Sequence, residues 1–277
     1  MERFNDFIKE RRYLLNVSKR TLDWYGDCFS AWRRYAGAEP AQWVINMREA
    51  GIKVVSINTY ICGMNAYWKW AGEKTKLRYL KEEQRILATL TLADVQALVS
   101  AKNIAAKAIS RTNLRRARLV ALTILDTGLR ASEVLGLTTE QINLDALTIK
   151  VLGKGGKERI VPFSLELRKA LWRYKAGDGK RNILFGTKNE TSVTLRNLER
   201  DFKELGQKCG ITGVRFSPHT LRHTFAVSYL RNGGNLEFLR RILGHSSLTT
   251  TQKYLKSLGI EDLGAVHNGL SPLSARR

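Results

Sequence analysis

Hydrophobic residues in this 277-residue chain recur at intervals of three or four almost everywhere, and they alternate strictly in only one short stretch. Spacings of three or four place side chains on one face of a helix, whereas alternation is typical of a strand. In that stretch Leu147, Ile149 and Val151 alternate with polar residues, and Ile160 and Val161 follow the glycine-rich sequence GKGGKER. We therefore expect a mainly α-helical protein with a small β-sheet built on one hairpin.

Aromatic residues at helical spacing dominate residues 1–88. Ser18 and Ser56 are each predicted to cap the N-terminus of a helix, because a serine oxygen can accept a hydrogen bond from a free backbone N–H. A shorter helix around Trp43 is expected to stop near Gly51. We interpret the aromatic stripe as core and not as a platform for stacking bases. Residues 1–88 are thus predicted to form a compact four-helix domain that ends in a charged linker.

Residues 89–277 are predicted to form a second, mainly helical domain with mixed α+β character. Thr91 and Asp94 form a variant of the capping box at its start. Helices are expected on both sides of Gly128. After the hairpin, helices are predicted at 165–174, 195–209, 218–230, 235–243 and 249–255, with a short strand at 183–185.

The charge of the chain points to a polyanionic partner. Lys and Arg number 47 against 25 Asp and Glu, a net charge of +22, and both predicted domains carry the excess. Such a balance favours nucleic acid as the partner, with a ribosomal-type structural role as the plain alternative. The three cysteines lack paired spacing, so neither a disulfide framework nor a zinc site is expected. No signal peptide or membrane span is apparent, and a cytoplasmic location is predicted.

Three motifs contain residues suited to chemistry on an anion. TGLRASEVLGL places Arg130 and Glu133 one helical turn apart. A guanidinium in such apolar surroundings is costly to enclose unless it holds an anion. HTLRHTFA places His219 and Arg222 on one helix face, and LGHSSLTTTQKY carries a further histidine and tyrosine. Each motif is weak alone, but their order and spacing together are specific.

Taken together, the motifs resemble the tyrosine recombinase (phage integrase) family, especially its small two-domain Xer-like members, over residues 90–257. The resemblance implies a helical N-terminal core-binding domain and a tyrosine recombinase catalytic domain at residues 89–277. It implies site-specific recombination through a 3′-phosphotyrosine and a Holliday junction. It further implies double-stranded DNA as partner, a nucleoid-associated location, and a homotetramer on two DNA sites or a heterotetramer with a related recombinase. Position by position, the implied catalytic residues are Arg130, Lys154, His219, Arg222, His245 and the nucleophile Tyr254.

The chemistry of these residue types fits phosphodiester transfer. Two guanidiniums can neutralise the nonbridging oxygens while a phenol attacks in line. Lys154 would protonate the leaving 5′ oxygen, His219 would act as base or proton shuttle, and His245 would donate a hydrogen bond to the phosphate. Glu133 is either a supporting residue that orients its neighbours or a plain helix pair. No metal, cofactor or ATP is expected, because arginines take the place of a metal clamp.

The sequence leaves several residue roles and two alternative functions open. Lys157 could replace Lys154; otherwise Lys157 and Arg159 would contact the DNA backbone or be solvated. The other candidate DNA contacts are Lys19, Arg20, Asn58, Tyr60 and Lys69, and a second face of Arg111, Arg115 and Arg118. Competing functions are a type IB topoisomerase-like activity and a catalytically silent DNA-binding protein. The tail after Tyr254 either docks on a neighbouring protomer or is frayed.

Overall fold

The structure is a computed structural model, and it describes residues 2–37, 39–82, 87–101, 108–153, 156–178, 182–187 and 191–270. The chain divides into two compact units, residues 1–85 and 86–277, whereas the sequence placed the boundary near residue 88. Each unit contains its own cluster of buried hydrophobic side chains.

Four helices form the first unit: α1 (Glu2–Tyr13), α2 (Lys19–Arg34), α3 (Pro40–Glu49) and α4 (Val54–Trp70). Its core contains Trp32, Trp43 and Trp68, whose rings meet edge to face with centroids 5.1 to 6.4 Å apart. The indole N–H of Trp43 donates to the Ala31 carbonyl at 3.0 Å, which satisfies the polar atom of this buried ring. The prediction that the aromatic stripe is core is confirmed.

The two predicted serine caps have different outcomes. Ser18 caps α2, and its hydroxyl accepts from the backbone N–H of Thr21. The Ser56 prediction is wrong, because α4 begins two residues earlier, with Lys53 at the N-cap position. The Lys53 carbonyl already accepts from the backbone N–H groups of Ser56 and Ile57 at 2.9 and 3.1 Å. Ser56 therefore lies within the first turn.

The second unit is mainly helical around a three-stranded antiparallel sheet of order β1-β2-β3. Ile149 and Val161 pair across the hairpin and face the core. The predicted fold class is confirmed. Its elements are α5 (Leu92–Ser100), α6 (Ala108–Thr127), α7 (Ala131–Leu135), β1 (Ile142–Asn143), β2 (Thr148–Leu152), β3 (Glu158–Pro162), α8 (Leu165–Asp178), α9 (Leu195–Lys208), α10 (Pro218–Arg231), α11 (Leu236–Leu243), α12 (Leu248–Gln252) and α13 (Ile260–Leu270).

The second unit confirms one local prediction and corrects two. The capping box of Thr91 and Asp94 is present. The strand expected at 183–185 is wrong: among the described residues this segment contributes one isolated bridge, between Thr138 and Ile183, although Leu184 and Phe185 are buried. Burial in an irregular segment gives the same apolar run as a short strand. The helix expected at 249–255 is divided into α12 and a 3₁₀ turn at Leu255–Ser257.

A search of the described residues finds no helix that combines the length and the apolar character needed to cross a membrane.

Candidate active site

Gly128 shapes the corner between α6 and α7. Its φ of +66° lies in the left-handed region, and an added Cβ would come within 2.4 Å of a ring carbon of Phe225. A side chain is therefore excluded both by conformation and by space. The corner aims the Gly128 carbonyl at Arg222, which donates to it through Nη1. It also sets Arg130 two residues later as the N-cap of α7.

Glu133 is the central carboxylate of the site and its side chain is 8% exposed. It accepts from the Arg130 backbone N–H at 2.8 Å and from Arg130 Nη1 at 3.2 Å. Burial by itself would raise the pKa of Glu133, but the hydrogen bonds and charges of Arg159 and Arg130 outweigh burial and lower it. Glu133 is therefore an ionised anchor, and this geometry favours the orienting role over a plain helix pair.

The side chain of Arg159 is directed into the protein, whereas the sequence indicated a contact to the DNA backbone or a solvated charge. Its guanidinium binds both carboxylate oxygens of Glu133, at 3.0 and 2.9 Å, and its Nε donates to the Ile242 carbonyl at 3.0 Å. Its side chain is only 14% exposed. The expectation of a backbone contact or a solvated charge is corrected, because the planar fork is already held by a carboxylate inside the protein. Arg159 instead links β3 to the start of α7 and the end of α11.

Arg222, on α10, is 6% exposed and forms the floor of the site. Its Nη2 donates to the Leu243 carbonyl at 2.9 Å and lies 3.0 Å from Nε2 of His245. Arg130 Nη1 reaches the same Leu243 carbonyl at 3.4 Å, so the two predicted arginines converge. Burial first, and then the charge of Arg130, lower the pKa of Arg222 to about 10. It remains charged at neutral pH.

His245 follows the left-handed Gly244 that ends α11. Its Nδ1 lies 2.9 Å from the hydroxyl of Thr251, and the residue is 8% exposed. Burial, followed by the charges of Arg222 and Arg130, lowers the pKa of His245 to about 4. The imidazole is therefore neutral at physiological pH.

Tyr254 lies on the turn after α12, and its ring is buried, with 1% exposure, among apolar residues of α10 and α11. Its ring stacks near that of His245, with centroids 6.3 Å apart. Burial raises the pKa of Tyr254. The charge of Arg222 and a hydrogen bond between Arg222 and the Tyr254 hydroxyl lower this pKa by less, so it stays above its usual value. The structure thus brings Arg130, Arg222, His245 and Tyr254 together.

His219 is exposed near the start of α10. Its ring centroid lies 6.4 Å from that of His223, which in turn lies 5.6 Å from that of Tyr254. His223 is a neighbour of both predicted catalytic rings, and burial, followed by Lys253 and His219, lowers its pKa to about 4. Its Nδ1 is buried and has no hydrogen-bond partner among the described residues.

The glycine-rich turn holds both candidate lysines. Lys154 lies outside the described residues. Lys157 is exposed just before β3, and its carbonyl accepts from the Gly153 N–H at 2.8 Å. The choice between the two lysines therefore remains a prediction.

The candidate DNA contacts of the first unit separate into two groups. Lys19, Arg20 and Lys69 are exposed, as a phosphate contact requires. Tyr60 is partly buried against the aromatic core. Asn58 is a correction: its side-chain amide pairs with both the N–H and the carbonyl of Leu80, at 2.8 and 2.9 Å. That amide fixes the segment after α4 and is not free to contact bases.

The second candidate face behaves similarly. Arg118 donates to the carbonyls of Leu98 and Val99 at the end of α5. Arg115 donates to the Arg173 carbonyl at 3.3 Å. The side chain of Arg111 lies outside the described residues. Arg118 thus satisfies carbonyl groups at the end of α5, whereas Arg115 is exposed and its role at DNA remains a prediction.

Sequence reasoning missed Thr251, His223 and the inward position of Arg159. A signal existed for Arg159, because alternation along β3 places it on the same face as the buried Val161. His223 directly follows Arg222 and Thr251 lies three residues before Tyr254, but neither fits a periodic pattern of its own.

We expect stability to fall as the pH drops from about 6.5 to about 4, partly because of His245. In this range the unfolded histidine binds a proton that the folded one does not, so acid favours unfolding by up to roughly 3 kcal/mol. His245→Gln should flatten the pH dependence of the unfolding free energy, measured by urea titration at several pH values. His267→Gln, at an exposed histidine, is the matched control. Equal slopes for both variants and the wild type would contradict this account.

Comparison with known proteins identifies the class. The phage integrase family matches residues 88–259. The chain belongs to the phage integrase family, and it is a site-specific DNA recombinase of the tyrosine type. It is 32% identical over 224 residues to the tyrosine recombinase XerA of Pyrococcus furiosus, covering 78% of this chain and 74% of XerA. It is 33% identical over 237 residues to XerD of Pseudomonas aeruginosa, covering 79% and 78%.

Solved structures agree on the fold. The crystal structure of XerA recombinase is similar with a TM-score of 0.56 and 25% identity, covering 98% of this chain and 97% of that one. XerH bound to a palindromic difH substrate has a TM-score of 0.73 and 18% identity, covering 98% and 84%. The predicted family, fold class and enzyme class are confirmed. The topoisomerase-like and silent DNA-binding alternatives are not favoured.

Proposed function

We propose that Arg130, Arg222 and His245 hold the scissile phosphate while Tyr254 attacks its phosphorus. The observation that carries this proposal is the convergence of both guanidiniums on the Leu243 carbonyl, with Arg222 also interacting with Tyr254. Two fixed positive charges at one point suit the oxygens of a phosphoryl transition state. Glu133 and Arg159 act as positioning residues, because together they connect α7, β3 and the end of α11.

The proposed step is a transesterification. The phenolic oxygen of Tyr254 forms a bond to phosphorus as the bond to the 5′ oxygen breaks, which leaves a 3′-phosphotyrosine. The phenolic proton passes to His219 as base or shuttle, and Lys154 supplies a proton to the leaving oxygen. A 5′ hydroxyl from another strand reverses the step and rejoins the DNA. Because the phosphoester bond is exchanged and not hydrolysed, ATP is not needed.

From the burial of Tyr254 we infer a conformation that precedes DNA engagement. With 1% of the residue exposed, the hydroxyl is out of reach of a phosphate in a duplex. We propose that DNA binding moves the turn that follows α12, from Lys253 to Ser257, which carries Tyr254 towards the phosphate while α12 stays in place. Arg222, held by the carbonyls of Gly128 and Leu243, stays in place as the fixed half of the site.

The general acid can be identified with a bridging-sulfur substrate. We expect Lys154→Ala to cleave an ordinary site poorly but a 5′-bridging phosphorothiolate well, because a thiolate leaves without a proton. Lys157→Ala, the matched control on the same turn, should mainly weaken binding and reduce its salt dependence. Rates are measured in single-turnover cleavage. The reverse pattern would assign the acid to Lys157.

We further propose that four protomers act on two DNA sites and that the tail contributes to this assembly. α13 bears an ion pair to α10, Asp262 to Arg231 at 3.1 Å. Ile260 and Leu263 on the same helix are 87% and 55% exposed. α13 is therefore bound to its own domain by an ion pair and exposes apolar residues to solvent. Both features suit a helix that also contacts a second copy in a cyclic assembly.

Deleting residues 260–277 should leave single-site DNA binding nearly intact and strongly reduce synapsis and strand exchange. Ile260→Ser with Leu263→Ser is the finer variant, since it keeps the helix and its ion pair. Binding is measured by gel shift, and synapsis by a two-site assay. Recombination of the truncated protein at the full-length rate would show that the tail is only a frayed end.

The function itself is tested by mapping covalent cleavage across the DNA that surrounds the gene. Site-specific recombination predicts adducts concentrated at one short sequence with two protein-binding arms. Adducts scattered evenly along the DNA would instead indicate topoisomerase-like cleavage.

A further inference from the structure

Thr251 is a buried hydrogen-bond partner of His245, the histidine proposed to contact the phosphate. It lies in α12, is 0% exposed, and its hydroxyl oxygen is 2.9 Å from Nδ1 of His245. On the other side of the ring, Nε2 is 3.0 Å from Nη2 of Arg222. Both imidazole nitrogens therefore have a buried partner, and those partners determine where the ring carries its proton.

The proton can be placed by elimination. A guanidinium has donors and no acceptor, so Nε2 of His245 must accept from Arg222. A neutral imidazole that accepts at Nε2 carries its hydrogen on Nδ1. That hydrogen points at the Thr251 hydroxyl, which accepts it. The low pKa of His245, about 4, agrees with a neutral ring.

This tautomer is the opposite of the one that phosphate binding needs. To donate to a phosphate oxygen, Nε2 must carry a hydrogen, and the phosphate must replace the contact between Arg222 and Nε2. One proton then leaves Nδ1 and one is gained at Nε2, through exchange with water, so the charge of the ring is unchanged. Nδ1 becomes an acceptor. A hydroxyl can accept in the first state and donate in the second by rotating about one bond.

We propose that Thr251 is a positioning residue whose hydroxyl switches from acceptor to donor, allowing His245 to change tautomer when DNA replaces the Arg222 contact. The inference rests on the proposed role of His245 at the phosphate. Thr251 is three residues from Tyr254 in the chain. The short helix just before the nucleophile therefore also provides the partner of Nδ1 in both states of the phosphate-binding histidine.

The tautomer is measured first, on the full chain without DNA. The chain has four histidines, so imidazole nitrogen spectra are tractable and His245 is assigned with His245→Ala. We expect a protonated Nδ1 and an unprotonated Nε2 in the wild type and in Thr251→Ser. Thr251→Val, which keeps the shape but lacks the hydroxyl, should keep the hydrogen on Nδ1, because Arg222 still donates to Nε2, but should shift the Nδ1 resonance, because that hydrogen has lost its acceptor. An unprotonated Nδ1 in the wild type would overturn the inference.

Cleavage of a suicide substrate is measured next, as a double-mutant cycle. Thr251→Val should slow single-turnover cleavage about tenfold, the cost of one buried hydrogen bond, and Thr251→Ser should restore the rate. In a His245→Ala background Thr251→Val should have no further effect. Thr123→Val is the control, since Thr123 is equally buried and its hydroxyl bonds only the Leu119 carbonyl of its own helix in the described contacts.

Equal slowing by Thr251→Val in both backgrounds would overturn the inference and leave the proposed function intact. Full-rate cleavage by His245→Ala would instead remove His245 from the proposed function, and this inference would fall with it.

Discussion

Tyr254→Phe should bind DNA like the wild type and form no covalent adduct. Binding should survive because the interface is largely electrostatic and the phenolic oxygen is a small part of it. The adduct should be lost because the attacking atom is removed. On a suicide substrate, wild-type protein should run as a complex that resists denaturation in SDS, and the variant should run as free protein.

The matched control is Tyr229→Phe, because Tyr229 packs against the same buried cluster as Tyr254. It should form the adduct at the wild-type level. Adduct formation by Tyr254→Phe at the same level would show that another residue is the nucleophile.

Arg222→Ala should slow cleavage by roughly two to four powers of ten, the effect of removing a charged donor from a phosphoryl transition state. Arg222→Lys should recover little of this, since one ammonium cannot reach the carbonyls of Gly128 and Leu243 and a phosphate together. Arg130→Ala should lose a similar amount. Single-turnover cleavage on a suicide substrate measures all three.

Cleavage by the wild type should also persist in excess EDTA, because the two guanidiniums supply the positive charge that a divalent ion supplies elsewhere. Arg241→Ala is the control for the arginine variants, as Arg241 is a surface arginine whose side chain is 69% exposed. Strict dependence on Mg²⁺, or an equal loss in the control, would contradict the assignment.

Both predictions concern a site that the structure shows in a closed form. Tyr254 is buried beside Arg222 and His245, and the histidine is neutral with both nitrogens engaged. We therefore expect DNA binding to expose Tyr254. We also expect the phosphate to replace the contact that Arg222 makes with His245. We therefore expect residues that contact the site side chains from within the protein, such as Thr251 and Glu133, to affect the reaction.

Periodicity alone predicts the fold class, and the resemblance to the tyrosine recombinase family supplies the six residues proposed for chemistry. Helical periodicity and one alternating stretch define the elements, because local spacing decides which face of a helix or strand is buried. The order and spacing of Arg130, His219, Arg222, His245 and Tyr254 are specific enough to carry that resemblance, which implies a phosphoryl-transfer site.

Which polar side chains have partners inside the protein depends on tertiary contacts. Arg159 and Asn58 read as exposed DNA contacts, yet one binds Glu133 and the other pairs with the backbone of Leu80. Thr251 fits no sequence pattern, although its buried hydroxyl lies 2.9 Å from Nδ1 of His245. The sequence around an arginine, an asparagine or a threonine is the same whether the partner of that side chain is solvent, DNA or a buried group. Its partner is chosen by residues distant in sequence, which only the folded chain brings within hydrogen-bonding distance.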